Sequence, residues 1–333
     1  MTVMIKKILL IESNTTDPYY NLALEENLLG LPSPGELIFF LWQNENTVVI
    51  GRNQNCLREC DVARLESDGG RLARRVSGGG AVYHDLGNLN FSFVTTKEDY
   101  DENAQTRVVL SAVKLLGICA ERSGRNDLTV NGRKFSGNAY HRGRTCLRHG
   151  TLLINSDLDK LGVYLGTPGG KLETKGVRSV ASKVVNLSEL DPAIGIAETA
   201  SALRSAARVE FDAPLINFDE AAIDRELLIK NREKFSSPEW IYGGAPNGDY
   251  RVCERFGWGE IEIFIKLNGG VVAECAVYSD ALETAPAELL PAALIGKKLD
   301  GELPAAIGGA LSQYGDICRD IQSLFAAGAA ARG

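Results

Sequence analysis

The segment RRVSGGGAVYHDLGN, residues Arg74–Asn88, places three consecutive glycines between two short strand-like runs. Gly78, Gly79 and Gly80 have no side chain to pack, and they carry a high backbone-entropy cost on folding. Successive backbone N–H groups without side chains form a concave site for anions. The segment therefore predicts a ligand cradle, and a tight strand connection with solvated arginines is the simpler alternative.

Polar residues flank the glycines on both sides. Arg74 and Arg75 offer charge-assisted donors that suit a phosphate or a carboxylate. His84 and Asp85 end the following strand and face the same region if the strands pair. A nucleotide or an adenylate is the ligand that this combination predicts.

Further runs rich in β-branched and aromatic residues predict strands on each side of this segment: KKILLIE, ELIFFLW, TVVIG, LARRV, AVYH and NLNFSFV. Apolar residues at helical spacing predict a helix over 102–121. Strands and helices mix without a regular βαβ alternation. The predicted class is α+β with a mixed sheet, rather than a dinucleotide-binding fold.

The second half of the chain changes composition twice. Residues 166–183 are rich in Gly, Ser and basic residues and predict a loop that is too long to be a simple connection. GGAPNGD, at 243–249, predicts a boundary between a catalytic domain of residues 1–246 and an accessory domain of residues 247–333. Helices are predicted over 197–207, 220–234, 287–294 and 316–325, with a hairpin turn at 268–270.

Composition limits the function classes. The chain has 333 residues and a net charge of −7, which argues against a general nucleic-acid binder. Its 7 cysteines are scattered without a C-x-x-C pair, which is typical of reduced thiols in the cytoplasm. The N-terminal run reads as a strand rather than a signal peptide, and no stretch approaches a membrane span. We expect a cytoplasmic protein that binds neither nucleic acid nor membrane, with a monomer as the default.

A second candidate site lies in NDLTVNGRKFSGNA, residues Asn126–Ala139. Asn131-Gly132 is a preferred two-residue hairpin turn, so Lys134 projects from a rigid strand just after it. A lysine there can stabilise developing charge on a phosphoryl group. Asp127 is a candidate magnesium ligand. The alternatives are a solvated strand lysine and an ordinary turn aspartate.

Standard catalytic motifs are missing from the sequence: it has no P-loop, no G-x-G-x-x-G before a helix and no H-E-x-x-H. His141 and His149 have no evident partner for zinc. Gly150 lies within a predicted strand and suggests a close approach by a ligand. Cys146 is a possible nucleophile, although its arginine-rich surroundings favour an incidental thiol.

Several long motifs in one order resemble the lipoate–protein ligase family. They are RRVSGGGAVYHDLGN, GRNDLTVNGRKFSGNAY, HGTLLIN, GVRSVASKVVNLSEL, FSSPEWIYG and ERFGWGEIEIFI. The resemblance covers nearly the whole chain. It implies a catalytic domain of the biotin and lipoate ligase type, followed by a small α/β accessory domain.

The resemblance also implies a two-step reaction that uses ATP and Mg²⁺. Lipoate attacks the α-phosphate of ATP, giving lipoyl-adenylate and pyrophosphate, and a carrier lysine then takes the lipoyl group. The implied carriers are the apo H protein of glycine cleavage and the lipoyl domains of 2-oxoacid dehydrogenase acyltransferase subunits. A basic loop with Lys175, Arg178 and Lys183 resembles the segment that closes over the adenylate.

The residues assigned to the two substrates overlap. Those expected at ATP and the adenylate are Arg75, Ser77, Gly78, Gly79, Gly80, Ala81, Val82, Tyr83, Asp127, Lys134 and Lys183. Those expected at lipoate are Arg75, His84, Lys134, Ser136, Gly137, His149 and Gly150. Lys134 is the expected catalytic residue, and Asp127 the expected magnesium ligand.

Three other functions compete with this one on the sequence alone. A biotin ligase is disfavoured, because RRVSGGGAVYHD differs from the arginine-glycine loop of that group. A lipoyl or octanoyl transferase of the same fold would not use ATP itself. A lipoate-binding or regulatory protein would have kept the site without turnover, which the joint presence of Arg75, Asp127 and Lys134 argues against.

Overall fold

An eight-stranded sheet forms the centre of the computed structural model, which describes residues 4–124, 126–165, 183–242, 250–268, 270–298 and 302–330. In chain order its strands are β1 (Lys7–Glu12), β2 (Glu36–Trp42), β6 (Asn88–Thr96), β7 (Glu121–Ser123), β8 (Asp127–Val130), β9 (Arg133–Arg142), β10 (Thr145–Leu153) and β11 (Leu215–Asn217). Across the sheet the order is β11-β1-β2-β6-β10-β9-β8-β7. β1 pairs in parallel with β2 and β11, and the remaining pairs are antiparallel. The sheet is mixed, as the sequence predicts.

A second, three-stranded sheet holds the glycine segment. It contains β3 (Thr47–Ile50), β4 (Arg71–Arg74) and β5 (Val82–His84), in the order β4-β3-β5. β3 pairs in parallel with β4 and antiparallel with β5. The glycines therefore connect the two outer strands of this sheet, and the strands predicted on each side of them are confirmed.

Helices cover both faces of the large sheet. α1 (Pro18–Leu28) and α7 (Arg225–Ser236) pack together on one face, and α4 (Glu102–Leu115) and α6 (Ile196–Phe211) on the other. β2 is apolar on both sides, since Leu37, Phe39 and Leu41 join the α4/α6 core and Ile38, Phe40 and Trp42 join the α1/α7 core. Shorter helices are α2 (Cys56–Glu59), α3 (Val62–Ser67), α5 (Leu158–Tyr164) and α8 (Pro238–Tyr242).

The C-terminal part has a separate apolar core. Its strands β12 (Tyr250–Phe256), β13 (Gly259–Asn268) and β14 (Val271–Ser279) form an antiparallel sheet. Its helices are α9 (Ala285–Leu294), α10 (Glu302–Leu311) and α11 (Gly315–Ala330). The sequence predicts α9, α11 and the hairpin, but not α10, whose Gly308 and Gly309 weaken the helical signal. Among the described residues, no helix is long and apolar enough to cross a membrane.

Two predicted helices have different bounds in the structure. The helix predicted over 102–121 ends at Leu115, because Gly117 has a φ of 83° and the chain then enters β7. The helix predicted over 220–234 is split, since Asp219 caps a 3₁₀ turn and Asp224 caps α7. The helix over 197–207 is confirmed within α6. The predicted loop at 166–182 and the boundary segment at 243–249 lie outside the described residues.

Candidate active site

A cleft of about 570 Å³, open solvent included, lies between the α1 face of the large sheet and the small sheet. The large sheet supplies one wall, because alternate residues of β2, β6, β10 and β9 point to the same face. The residues that line the cleft are Leu22, Trp42, Val49, Arg75, Gly79, Gly80, Ala81, Val82, His84, Asn90, Asn126, Lys134, Gly137, Asn138, Ala139, His149, Gly150 and Thr151. The two segments singled out from the sequence therefore meet at one cleft.

Lys134 lies at the charged end of the cleft, and Asp127, which is outside the cleft lining, pairs with it. Lys134 Nζ lies 2.8 Å from Asp127 Oδ1, and both side chains are about three-quarters buried. The tight turn before Lys134 has positive φ at Asn131 and at Gly132, as the hairpin prediction requires. Both backbone polar groups of Lys134 form hydrogen bonds to the segment 183–185: its N–H donates to Lys183 O (2.7 Å), and its carbonyl accepts from Val185 N (2.9 Å). The ammonium is thus held on a rigid backbone.

Arg75 is buried beneath the glycine loop. Its Nε donates to Ser77 Oγ, its Nη2 to the carbonyls of Gly78 and Gly80, and its Nη1 to Val49 O. Burial lowers the pKa of this guanidinium to about 10, and it stays charged at neutral pH. Within the described chain, one of the two Nη1 hydrogens has no acceptor. Arg75 therefore shapes the loop with most of its donors and offers little of itself to a ligand.

Arg74 does not face the cleft, which corrects its prediction as an anion donor. Neighbouring residues at a strand end point to opposite sides, so Arg74 and Arg75 diverge. The Arg74 guanidinium donates to five backbone carbonyls, those of Gly51, Arg52, Gln54, Trp240 and Ile241. Burial lowers its pKa to about 10. Arg74 joins the small sheet to α8.

The three glycines serve three different purposes. A Cβ at Gly78 would lie 2.8 Å from Leu282 O and closer still to Ala281 O, so the C-terminal part requires glycine there. Gly79 has a φ of 89°, and its N–H donates to Ala281 O at 3.0 Å. Gly80 is exposed, and no described atom lies within 4 Å of a Cβ built on it. Only part of the predicted backbone cradle therefore faces the cleft, at Gly80 and along one side of Gly79.

A buried chain of hydrogen bonds supports Arg75 from below. Glu25 on α1 is 1% exposed, and its two carboxylate oxygens lie 2.9 and 3.0 Å from His149 Nδ1. His149 Nε2 lies 2.6 Å from Ser77 Oγ, which accepts from Arg75 Nε. All donors and acceptors of this hydrogen-bond network are paired when His149 carries its hydrogen on Nδ1 and Ser77 donates to Nε2. Glu25 thus fixes the orientation of His149 and, through Ser77, of Arg75.

The far end of the cleft is apolar. Leu22, Trp42, Val49 and Val82 form its walls, and His84 lies among them. Trp42 Nε1 donates to Ser92 Oγ, which donates in turn to Glu25, so the indole is held in one orientation. Burial lowers the pKa of His84 to about 3, and the charge of Arg75 acts in the same direction. A ligand with a charged head and an apolar tail fits this gradient from Lys134 to Trp42.

Two family models match the chain. The lipoyl protein ligase A/B catalytic domain matches residues 17–208, and the bacterial lipoate protein ligase C-terminus matches residues 245–314. The chain belongs to the lipoate protein ligase family. The resemblance predicted from the motifs is confirmed, and the ligase class is confirmed with it.

Individual ligases of this family show the same likeness. The lipoate-protein ligase A of Psychrobacter cryohalolentis is 38% identical over 303 residues, which are 88% of this chain and 89% of that protein. LipL1 of P. falciparum, in complex with lipoate, has a TM-score of 0.81 at 26% identity and covers 95% of this chain and 98% of its own. The predicted fold class is thereby confirmed.

Two smaller ligase structures match most of the chain. The bipartite ligase of Thermoplasma acidophilum, studied with its E2 lipoyl domain, has a TM-score of 0.64 at 27% identity and covers 74% of this chain and 100% of its own. A lipoate-protein ligase A bound with ATP has a TM-score of 0.63 at 26% identity and covers 72% of this chain and 99% of its own.

Some residues assigned to the ligase site have side chains outside the cleft. Ser77 and Ser136 are fully buried beneath it, and Tyr83 packs against Tyr164 in the core of the small sheet. Lys183 contacts Lys134 through its backbone, and its side chain is exposed. Lys175 and Arg178 lie outside the described residues.

Two further residues have roles away from the ligase site. Asp85 accepts from the backbone N–H groups of Gly87 and Asp157 and stabilises a turn. Cys146 is 2% exposed on β10, and burial raises the pKa of its thiol. A cysteine nucleophile at that position is not supported.

The sequence reasoning missed several residues that line or support the cleft, among them Glu25, Trp42, Asn90 and Asn138. The Asp17-Pro18 pair that begins α1 is a usable helix signal, because Asp17 caps the helix and proline occupies its first turn. It would have placed Glu25 on the same face as Leu22, which lines the cleft. The two asparagines carry no local signal.

Proposed function

We propose that this protein activates free lipoate with ATP and transfers the lipoyl group to a lysine of a carrier domain. The observation that carries the proposal is the cleft itself, with Lys134, which pairs with Asp127, at one end and an apolar wall at the other. Among the described residues that line it, none is a cysteine or a serine. This favours activation through an adenylate over an acyl-enzyme, because an adenylate needs no protein nucleophile.

In the first step, a lipoate carboxylate oxygen attacks the α-phosphorus of ATP, and the bond to the β-phosphate oxygen breaks to release pyrophosphate. Two anions must meet, and Lys134 offsets their repulsion from its fixed position. Asp127 keeps the ammonium in place before ATP binds. Gly80 and the adjacent Ala81 and Val82 offer backbone against which the adenylate lies, since a Cβ at Gly80 meets open space.

In the second step, the amine of a carrier lysine attacks the carbonyl carbon of the lipoyl-adenylate, and AMP leaves. Lys134 stabilises the charge that returns to the phosphate. The bound acyl chain lies between Gly137, His149, Gly150 and the apolar walls. Arg75, Ser77 and Ser136 act from beneath as supports rather than as direct ligands.

Mg²⁺ fits this site in the manner usual for ATP-using enzymes. Such sites combine one or two carboxylates with substrate phosphates and water. Among the described residues there is no cluster of three or more His, Cys, Asp or Glu side chains that could hold a metal ion alone. Asp127 would hold the ion together with the ATP phosphates, and the ion would neutralise charge on the departing pyrophosphate.

The carriers we propose are the apo H protein of glycine cleavage and lipoyl domains of 2-oxoacid dehydrogenase acyltransferase subunits. The Thermoplasma ligase, which was studied with its E2 lipoyl domain, supports the second of these. We place the catalytic domain at residues 1–246 and the accessory domain at 247–333. The ranges of the two family models and the separate C-terminal core support that division. None of the seven cysteines forms a disulfide within the described part of the chain, which supports the proposed cytoplasmic location.

The test is the intact mass of an apo lipoyl domain after incubation with this protein, lipoate, Mg²⁺ and ATP, with ATP omitted in parallel. We expect one added lipoyl group only when ATP is present. A further reaction supplies preformed lipoyl-adenylate in place of lipoate and ATP, and modification in that reaction alone would make the protein a transferase on a ligase scaffold. No modification with ATP and none with lipoyl-adenylate would refute both activities.

A further inference from the structure

His84 has one ring nitrogen without a partner. Its side chain is almost fully buried in the wall of the cleft, with the ring set edge-on to Trp42 at 5.9 Å and 73°. Nδ1 lies 3.1 Å from Asn44 Nδ2 and 3.5 Å from Asn90 Nδ2. Nε2 is buried and has no hydrogen-bond partner among the described residues.

Two amide side chains fix which nitrogen carries the hydrogen. Asn44 Oδ1 accepts from Asn21 Nδ2 at 3.0 Å, and Asn90 Oδ1 accepts from Asn88 Nδ2 at 2.9 Å. Both amides therefore turn their N–H groups towards His84 Nδ1, which must accept. The hydrogen of the neutral ring is consequently on Nε2, the nitrogen that has no partner.

The neutral charge of the His84 ring limits which kind of hydrogen-bond acceptor its Nε2–H can bind. Burial and the nearby Arg75 charge hold the pKa of His84 at about 3, so the ring is neutral at physiological pH. A neutral donor in apolar surroundings suits an uncharged acceptor better than a carboxylate or a phosphate, which would have to lose its water there. Buried donors are rarely left unpaired in native proteins.

The position of His84 identifies the part of the ligand it meets. Asn90, beside His84, is opposite Thr151 of β10, whose Oγ1 accepts from Gly137 N–H of β9. The side chain of Lys134 reaches along β9, and its Nζ lies 3.0 Å from a Cβ built on Gly137. At about 4.8 Å per strand, Asn90 and Gly137 are about 10 Å apart across the sheet. An acyl chain whose carboxyl group lies at Lys134 therefore has its tail near His84.

The geometry points to His84 Nε2–H as a hydrogen-bond donor to a dithiolane sulfur, and hence as a residue that selects lipoate over octanoate. This inference rests on the proposed function, since that function sets the direction of the chain. A thioether-type sulfur is a weak acceptor that needs no strong solvation. An octanoate methyl group at the same place leaves the donor buried and unpaired, which costs binding. Octanoate is the substrate class that His84 disfavours.

The test compares two ligands of the same ring shape, lipoate and its all-carbon analogue 5-cyclopentylpentanoate. Pyrophosphate release gives kcat/KM for each acid with the full-length protein. We expect His84→Phe, which keeps a ring beside Trp42, to lower the lipoate-to-analogue ratio by about fivefold, the equivalent of one net hydrogen bond. His84→Gln, which retains an amide N–H, should keep a larger part of the ratio. His141→Phe, outside the cleft lining, should keep all of it.

The ratio separates specificity from a general structural effect, because damage to the fold lowers kcat/KM for both acids together. An unchanged ratio in both His84 variants would overturn the inference and would indicate that the Trp42 ring already pairs with Nε2–H. If His84→Phe does not fold, His84→Leu, which also lacks an N–H donor, takes its place. A ratio lowered by about fivefold then supports the inference, and a ratio equal to that of His141→Leu overturns it. If the unaltered protein releases no pyrophosphate with either acid, it is the proposed function that fails.

Discussion

Gly78→Ala is expected to destabilise the protein because of a contact made far away in the sequence. The new Cβ would lie 2.8 Å from Leu282 O and even closer to Ala281 O, so backbone rather than a flexible side chain has to move. Overpacking of this kind costs about 1–3 kcal/mol. Displacement of Ala281 also breaks its hydrogen bond with Gly79 N–H, for about 1 kcal/mol more. The expected loss is about 2–4 kcal/mol of unfolding free energy, measured by urea denaturation.

Gly80→Ala is the matched control within the same triplet. No described atom lies within 4 Å of its added Cβ, and its φ is not positive. Its unfolding free energy should therefore stay within about 0.5 kcal/mol of the unaltered protein. Its adenylation rate should fall nonetheless, because the methyl group projects where the adenylate approaches the backbone. Equal stability of Gly78→Ala and Gly80→Ala would refute this reasoning about the glycine loop.

Four further predictions follow from the site. Lys134→Ala should lower pyrophosphate release by about 10²–10³-fold with little change in melting temperature, whereas Arg133→Ala, at a partly exposed neighbour, should leave the rate intact. Glu25→Gln should cost about 1–3 kcal/mol of stability and raise the KM for lipoate, while Glu26→Gln, which breaks only a partly exposed pair, should cost less than about 1 kcal/mol. His84 is buried in its neutral form with a pKa of about 3, so on acidification the unfolded state takes up the proton first and the unfolding free energy falls below about pH 6.5. Between pH 7 and pH 5, the unfolding free energy of His84→Gln in urea titrations should therefore fall by about 2 kcal/mol less than that of the unaltered protein. Cys146→Ser should leave lipoyl transfer nearly unchanged in the mass assay, and a large loss would revive a cysteine-dependent transfer.

Local signals in the sequence identified two of the segments that line the cleft. Asn131-Gly132 encodes its own turn, which places Lys134 near the start of β9. The apolar strands around the glycines were likewise readable, because alternation and β-branched residues are local properties. The family was recognised from motifs that lie in order along the chain.

Contacts between distant segments could not be predicted from the sequence. Gly78 is glycine because of Ala281 and Leu282, and nothing near Gly78 signals that approach. Arg74 and Arg75 look equivalent in sequence, yet one binds α8 and its neighbours while the other shapes the glycine loop. Glu25 meets His149 only after β10 and α1 pack, so its role depends on the tertiary structure.

The backbone carbonyls that surround Arg74 limit which residues this position can accept during evolution. Arginine and lysine are exchanged freely at most surface sites, because both carry one positive charge. Here five backbone carbonyls converge on a planar group with five N–H donors. An ammonium has only three donors from a single point, so a lysine would leave buried carbonyls without partners. The nominally conservative exchange Arg74→Lys is therefore expected to be poorly tolerated in this chain.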